Sequence, residues 1–244
     1  MATRDVGSPG VSDIERIVDQ VAGELGWLDP APVFLGGSIV GLFLDAFGRS
    51  HLRPTKDVDC IVQQVLSRAA WWQLEEQLRT RGWAPDPSGP ICRYRSPGGA
   101  LVDLMSEDPS VLGFAGRWYP STVANAQPRM LVTGRQILVP TPEHLLACKL
   151  EAWHDRGKRD PLMSNDLEDI VALLDSCPEL EARVRTTPSE LREWTAQAVA
   201  EFISNPRYKE AALGQLPRAG NQASREEKVM ALMSRIAQLS MEAE

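Results

Sequence analysis

The sequence predicts an α+β protein that ends in a helical part. Over the first 140 residues, short apolar runs bounded by glycine and proline alternate with helical patterns. From residue 141 onward, apolar residues recur at helical spacing, and Thr-Pro or Ser signals mark helix starts. A chain of 244 residues, 43% hydrophobic and 24% charged, is long enough to bury a substantial core.

The first 140 residues are predicted to contain three helices, two strands and a β-hairpin. In chain order we expect a helix over 12–26, a strand over 33–35, a helix over 39–47, a strand over 57–63 and a helix over 67–81. The hairpin joins 91–95 to 100–105 through a glycine-rich tip at 96–99. These elements form a first unit, 1–140, that begins with the N-terminal helix.

The remaining chain is predicted to divide into three parts. Residues 141–204 form a helical domain, and 205–224 read as a linker because they are rich in Gly, Pro and polar residues. Residues 225–244 form a C-terminal amphipathic helix with one apolar face.

Charge and cysteine content exclude several classes of protein. The net charge is -7, which argues against a protein that coats nucleic acid by charge alone. Residues 31–160 carry a net charge of +2, so an anionic ligand is expected there. The four cysteines are scattered without a CxxC pair, and no apolar run is long enough to span a membrane. We therefore expect a cytoplasmic protein without disulfides or membrane contact.

The first candidate for chemistry is a glycine loop. Gly36, Gly37 and Ser38 stand between a predicted strand and a predicted helix. Glycines let the backbone approach a ligand closely, and a helix start presents N–H groups to anionic oxygens. The alternative is a purely structural turn.

The second candidate is a pair of carboxylates in one strand. Asp57 and Asp59 are two residues apart, so both side chains point to the same face. Two close like charges favour a cation, and Mg²⁺ prefers such hard oxygen ligands. The alternative is two solvated acids on an edge strand.

The third candidate is Asp103, an acid within an apolar strand. A carboxylate there is costly unless it has a ligand or a charge partner. If its strand lies beside that of Asp57 and Asp59, three carboxylates meet, as in sites that hold two metal ions. The alternative is an edge-strand acid that faces water.

These features together resemble the nucleotidyltransferase superfamily, which has a DNA polymerase beta-like fold. The segment from Arg53 through Thr55 to Asp59 is similar to the R-x-T-x-D-x-D segment of the AbiEii/AbiGii toxin-type nucleotidyltransferases. Later segments, at 149–160 and 166–170, resemble that family's third and fourth motifs. The resemblance covers about residues 30–175. It implies a small mixed sheet flanked by helices, with 1–140 as the nucleotidyltransferase core.

The resemblance also implies an activity. It predicts a magnesium-dependent enzyme that transfers an NMP from an NTP to an acceptor hydroxyl. Asp57, Asp59 and Asp103 would be both the catalytic residues and the ligands of two Mg²⁺ ions, with Mn²⁺ as a substitute. The toxin-type relatives suggest a tRNA 3′ end or other RNA as acceptor and an antitoxin protein as partner.

Two cations complete the predicted nucleotide site. Lys149 and Arg156 are seven residues apart, so they lie on one face of a helix. A Lys and an Arg side by side suit a triphosphate. With Gly36, Gly37 and Ser38 they form the predicted nucleotide-binding set, unless both are simply solvated.

Two other functions remain open. The enzyme could act on a small molecule or a protein instead of RNA. The chain could also be a non-catalytic nucleotide- or partner-binding module of the same fold. The family often carries an Arg three positions beyond the GGS loop, where this sequence has Gly41 and Leu42, and this departure favours the module.

Overall fold

One seven-stranded mixed sheet organises the computed structural model, which describes residues 11–218 and 221–240, with side chains from residue 13 onward. The strands are β1 Val33–Leu35, β2 Asp57–Val62, β3 Ala84–Pro85, β4 Arg93–Arg95, β5 Leu101–Ser106, β6 Gln127–Met130 and β7 Gln136–Val139. Their order across the sheet is β3-β4-β5-β2-β1-β7-β6. The β2–β5 and β1–β7 pairs are parallel, and the other pairs are antiparallel.

Helices flank this sheet and form the C-terminal part. They are α1 Val11–Glu24, α2 Gly37–Val40, α3 Ala46–Ser50, α4 Arg68–Thr80, α5 Pro109–Leu112, α6 Tyr119–Ala124, α7 Pro142–Arg156, α8 Asn165–Ser176, α9 Leu180–Thr186, α10 Ser189–Ser204, α11 Pro206–Gly214 and α12 Gln222–Gln238. Short 3-10 turns follow α2 and α7. The predicted fold class, a mixed sheet flanked by helices and followed by a helical part, is confirmed.

The two faces of the sheet differ in what covers them. On β2, Val58 and Cys60 are buried in the main core, which also contains Leu146 of α7 and Val229 of α12. The opposite face carries a smaller apolar cluster that includes Leu35. The two aspartates of β2 lie on this second face and are only partly buried. The sheet therefore turns its acidic face away from the main core.

Three predicted elements differ from the structure. The expected helix over 39–47 is broken, because Leu44 is extended and Asp45 caps a new helix, α3, by accepting a hydrogen bond from the Gly48 N–H. The C-terminal helix begins at Gln222, three residues before the predicted boundary, with Asn221 as its cap.

The third difference lies in the segment 205–224, which was expected to be a linker and instead contains helix α11. Asn205 caps it by accepting hydrogen bonds from the N–H groups of Arg207 and Tyr208, and a proline occupies its first turn. Ala211 and Ala212 pack this helix into the main core. The division of the chain into four domains stays a prediction.

Within the described ranges, no helix is both long enough and apolar enough to cross a bilayer.

Candidate active site

The pairing of β2 with β5 brings the three predicted carboxylates together. Asp59 and Asp103 are directly opposite each other in this parallel pair. Asp57 lies two residues before Asp59 and shares its face of the sheet. Adjacent strands are about 4.8 Å apart, so the three carboxylates form one acidic cluster. The sheet register thus meets the condition on which the sequence hypothesis depended.

An arginine that the sequence hypothesis did not include lies on this cluster. Arg93 of β4 is directly opposite Asp103 in the antiparallel β4–β5 pair. Its Nε donates to Asp103 Oδ1 at 2.7 Å, and its Nη2 donates to Asp103 Oδ2 and to Asp57 Oδ2, both at 2.7 Å. This contact raises the pKa of Arg93 further, chiefly through the hydrogen bonds to Asp103. Arg93 therefore acts as the internal counter-ion of two of the three carboxylates.

Asp59 is the carboxylate without such a partner. It has no hydrogen bond or ion pair with any other residue that the structure describes. Burial raises its pKa from 3.8 to about 7, and the repulsion of Asp57 and Asp103 adds to the effect, whereas Lys149 opposes it. Asp59 thus lacks a cation and is partly protonated near neutral pH.

The backbone of the glycine loop packs closely against the side chain of Asp59. Gly36 has φ of +79°, and a Cβ built on it would lie 1.8 Å from Asp59 Oδ2. Only glycine therefore fits between the loop and the carboxylate. A Cβ on Gly37 would lie 2.9 Å from Nη2 of Arg53, so this loop also approaches a cation closely. Ser38 is buried, and its hydroxyl donates to the Leu35 carbonyl at 3.4 Å.

Lys149 is placed near the cluster but is already paired. Its Nζ is 2.6 Å from Asp169 Oδ2 and 3.4 Å from Asp166 Oδ1, and the side chain is buried. Burial lowers its pKa, but the attraction of these carboxylates and of Asp59 outweighs burial, so the net pKa is raised. Lys149 therefore stays charged and fixes α7 to α8.

Two arginines extend this network. Arg156 forms a fork on Asp166, with Nε 2.8 Å from Oδ2 and Nη2 3.1 Å from Oδ1. Arg53 reaches Asp169 from the β1–β2 connection, with Nη2 3.1 Å from Oδ2. The predicted adjacency of Lys149 and Arg156 is present in the structure, and Asp166 joins them. Their predicted role in binding nucleotide stays a prediction.

Two cavities meet at the carboxylates. One, the polar cavity, has a volume of about 530 Å³. Its lining has five cationic side chains, namely Arg53, Arg93, Lys149, Arg156 and Arg159, and five carboxylates, namely Asp57, Asp59, Asp103, Asp160 and Asp166. The other, of about 310 Å³, carries apolar and aromatic side chains, including Leu35, Met105, Phe114 and Tyr119. Asp59 and Asp103 line both cavities. The arrangement suits two ligands that meet at these two side chains. The cationic side chains of the polar cavity could bind an anionic ligand.

The carboxylates of this site suit a metal ion in chemistry, but two of them are already paired with Arg93. The described part of the chain holds no group of three Asp, Glu, His or Cys side chains that is arranged to bind one metal ion. Three of the four carboxylate oxygens of Asp57 and Asp103 accept hydrogen bonds from Arg93. The fourth, Asp57 Oδ1, accepts one from the Thr55 hydroxyl at 3.2 Å. The unpaired Asp59 and the all-oxygen donor set nevertheless suit a hard divalent cation. The residues fit such an ion once Arg93 releases its two carboxylates.

Comparison with solved structures gives a distant likeness in fold. No family model matches the sequence, and no curated protein matches it. The fold is similar to the crystal structure of an antigenic nucleotidyltransferase-like protein from Paracoccidioides brasiliensis, at 18% identity and a TM-score of 0.48. The match covers 84% of this chain and 94% of that chain. A likeness this distant assigns no activity to this chain, and the resemblance to AbiEii/AbiGii toxins stays a prediction.

Proposed function

We propose that this protein is a metal-dependent nucleotidyltransferase that transfers an NMP from an NTP to an acceptor hydroxyl. One observation carries the proposal: Asp57, Asp59 and Asp103 share one face of the sheet, at the point where a polar cavity with five cationic side chains meets a more apolar cavity. Nucleotidyl transfer needs this combination, because its catalysis consists mainly of positioning and charge neutralisation.

The polar cavity is the proposed site of the triphosphate. Arg156 and Arg53 are held by Asp166 and Asp169, and the N–H groups that these carboxylates do not use are the proposed donors to phosphate oxygens. Gly37 leaves room for a close approach of the backbone. Gly36 and Ser38 shape the same loop. Lys149 is proposed to balance charge on the leaving pyrophosphate through its field, since its ammonium group is already bound to Asp169.

The three aspartates are the proposed ligands of the metal. Asp57, Asp59 and Asp103 would hold two Mg²⁺ ions, or Mn²⁺, and the bound ions would neutralise negative charge on the phosphates. The unpaired, partly buried carboxylate of Asp59, whose pKa is raised to about 7, supports this proposal.

In the transfer itself, the acceptor oxygen attacks the α-phosphorus, and the bond to pyrophosphate breaks. Asp103 is the proposed base that takes the proton of the acceptor hydroxyl, because it lines both cavities.

The apolar cavity is the proposed acceptor site. Phe114 is 40% exposed there and offers an aromatic face on which a base can stack. This feature favours an RNA 3′ end, such as that of a tRNA, over a protein side chain. A small molecule remains the alternative acceptor, and an antitoxin partner follows only from the resemblance.

The test uses NTPs labelled at the α- or the γ-phosphate, with Mg²⁺ and either total cellular RNA or a small-molecule extract. We expect the α-label, and not the γ-label, to enter the acceptor fraction. Asp57→Asn and Asp59→Asn should abolish labelling while the fold is retained. Glu76→Gln, on the exposed surface of α4, is the matched control and should leave labelling unchanged. Undiminished labelling by both aspartate variants would sink the mechanism.

A non-catalytic nucleotide-binding module is the second candidate. The observation in its favour is that Arg93 already pairs with two of the three carboxylates. Calorimetry with each NTP, with and without Mg²⁺, separates the two functions. Binding that is independent of the metal, together with no labelled acceptor, favours the module.

A further inference from the structure

The guanidinium group of Arg93 lies where a metal ion would have to interact with Asp57 and Asp103. It makes a two-point contact with Asp103 and a third contact with Asp57, each at 2.7 Å. The Arg93 side chain is 22% exposed, and those of Asp57 and Asp103 are 33% and 11% exposed. Contacts of this kind are charge-assisted and partly shielded from water, so they are among the stronger hydrogen bonds in proteins.

A divalent cation needs the same oxygens. Mg²⁺ binds carboxylate oxygens at about 2.0–2.1 Å, so an ion on Asp57 or Asp103 would lie beside the positive guanidinium group of Arg93 and be repelled by it. Of the six carboxylate oxygens in the cluster, only the two of Asp59 have no donor within the described residues. One carboxylate alone is a weak site for Mg²⁺. Arg93 and the cation therefore compete for Asp57 and Asp103.

The strand registers of the sheet fix Arg93 beside these carboxylates. The β4–β5 register places Arg93 directly opposite Asp103, and the β2–β5 register places Asp103 directly opposite Asp59. The three side chains thus form one row across three strands. Arg93 also lines the polar cavity, which gives its side chain room to move away from the carboxylates.

We propose that Arg93 is a displaceable internal counter-ion, which holds Asp57 and Asp103 when no divalent cation is bound and leaves them when one binds. The inference rests on the proposed function, because it takes these aspartates as metal ligands. It adds a positioning residue that sets the affinity of the site. Arg93 reduces the negative charge of these two carboxylates in the free protein and makes the cation displace a guanidinium group in order to bind.

The first test measures Mn²⁺ binding to the full chain without nucleotide, by electron paramagnetic resonance of the free ion. Arg93→Gln removes the competing charge, so we expect it to bind Mn²⁺ about tenfold more tightly than the wild type, or more. Arg95→Ala is the matched control, because Arg95 is on the same strand but pairs with Asp86 outside the cluster. Its affinity for Mn²⁺ should equal that of the wild type.

A second measurement uses the wild-type protein and does not depend on how well the variant folds. The Nε–H of Arg93 donates to Asp103, so its NMR signal should be protected from exchange with water in the free protein. Arg93→Lys lacks this group and assigns the signal. Addition of diamagnetic Mg²⁺ should remove the protection. The signals of arginines outside the cluster, such as Arg95, should not change.

The outcomes separate this inference from the proposed function. Equal Mn²⁺ affinity of the wild type and Arg93→Gln, or Mg²⁺ binding that leaves the Arg93 signal protected, would overturn the role of Arg93 while the metal site stands. If neither protein binds Mn²⁺, both the inference and the metal-dependent function are wrong. Tighter binding by Arg93→Gln together with loss of the Arg93 signal in the wild type would support the inference.

Discussion

Replacing Asp59 with Asn is expected to stabilise the metal-free protein above pH 7. Burial and the neighbouring aspartates raise the pKa of Asp59 from 3.8 to about 7. In the folded state the carboxylate therefore ionises at a cost that the unfolded chain does not pay. Asn has nearly the same shape and never ionises, so the variant escapes this cost.

The size of the effect follows from the pKa shift. A shift of about three units at about 1.36 kcal/mol each corresponds to at most about 4 kcal/mol. Asp59 keeps contact with water in the cleft, which screens the charge, so we expect about 2 kcal/mol. The folded pKa is raised, so the folded state binds more protons than the unfolded state between about pH 4 and pH 7. The cost is absent below pH 4, grows through this window and is constant above it.

Urea unfolding, followed by tryptophan fluorescence in the presence of EDTA, measures the effect at pH 5 and pH 8. Asp59→Asn should exceed the wild type in free energy of unfolding by more at pH 8 than at pH 5. Asp57→Asn is the control, because Asp57 already accepts hydrogen bonds from Arg93 and Thr55. It should not be stabilised at either pH. A difference between Asp59→Asn and the wild type that does not change with pH would refute the reasoning.

Gly36→Ala and Lys149→Met, with Gly99→Ala as a comparison, test which residues around the site stabilise the fold. Gly36→Ala should lower the free energy of unfolding by about 2–4 kcal/mol, because its Cβ would overlap Asp59 and its φ is +79°. Gly99→Ala, with φ of +89° and no atom within 4 Å of the added Cβ, should cost only about 1 kcal/mol in the same urea titration. Lys149→Met should cost about 3–5 kcal/mol by thermal unfolding, because it leaves the buried Asp169 without its closest cation. A loss below about 1 kcal/mol would contradict the structural role assigned to this lysine.

The carboxylate cluster was predictable because strand geometry is simple. Alternation along 57–62 fixes that Asp57 and Asp59 share a face, and the structure shows this pattern in β2. The pairing of this strand with the one that carries Asp103 was only a condition in the sequence argument. Pairing partners in a mixed sheet are set by tertiary packing, which no local pattern encodes.

Arg93 was missed because its partner depends on the exact length of the hairpin tip. A tip at 96–99 pairs residue 95 with residue 100 and so places Arg93 opposite Val102, whereas the structure pairs Ser96 with Ala100 and places Arg93 opposite Asp103. Residues opposite each other on adjacent strands share a face, so an Arg and an Asp in this relation form a pair. A difference of one residue in the tip therefore decides whether Arg93 faces an acid or a valine, and the pattern of Gly and Pro residues does not fix the tip that closely.

The helix α11 was missed for a different reason. Composition suggested a linker, but Asn205 followed by proline is itself a helix-start signal. The burial of Ala211 and Ala212 against the main core supplies the rest of the stability. Small apolar residues give a weak amphipathic pattern, so packing decided what composition could not.

Arg93 and Asp59 together show how the chain manages three close carboxylates without a bound cation. The guanidinium group of Arg93 pairs with Asp57 and Asp103 and balances one of their two negative charges, whereas Asp59 has no ion-pair partner among the described residues. Lys149 cannot fill this role fully, because Asp166 and Asp169 bind its ammonium group. A second cation fixed beside Asp59 would stabilise the ionised carboxylate. If Asp59 binds a divalent cation, as we propose, the ion would offset part of the cost of ionising this side chain, so the stability gain of Asp59→Asn and a loss of metal affinity should occur together.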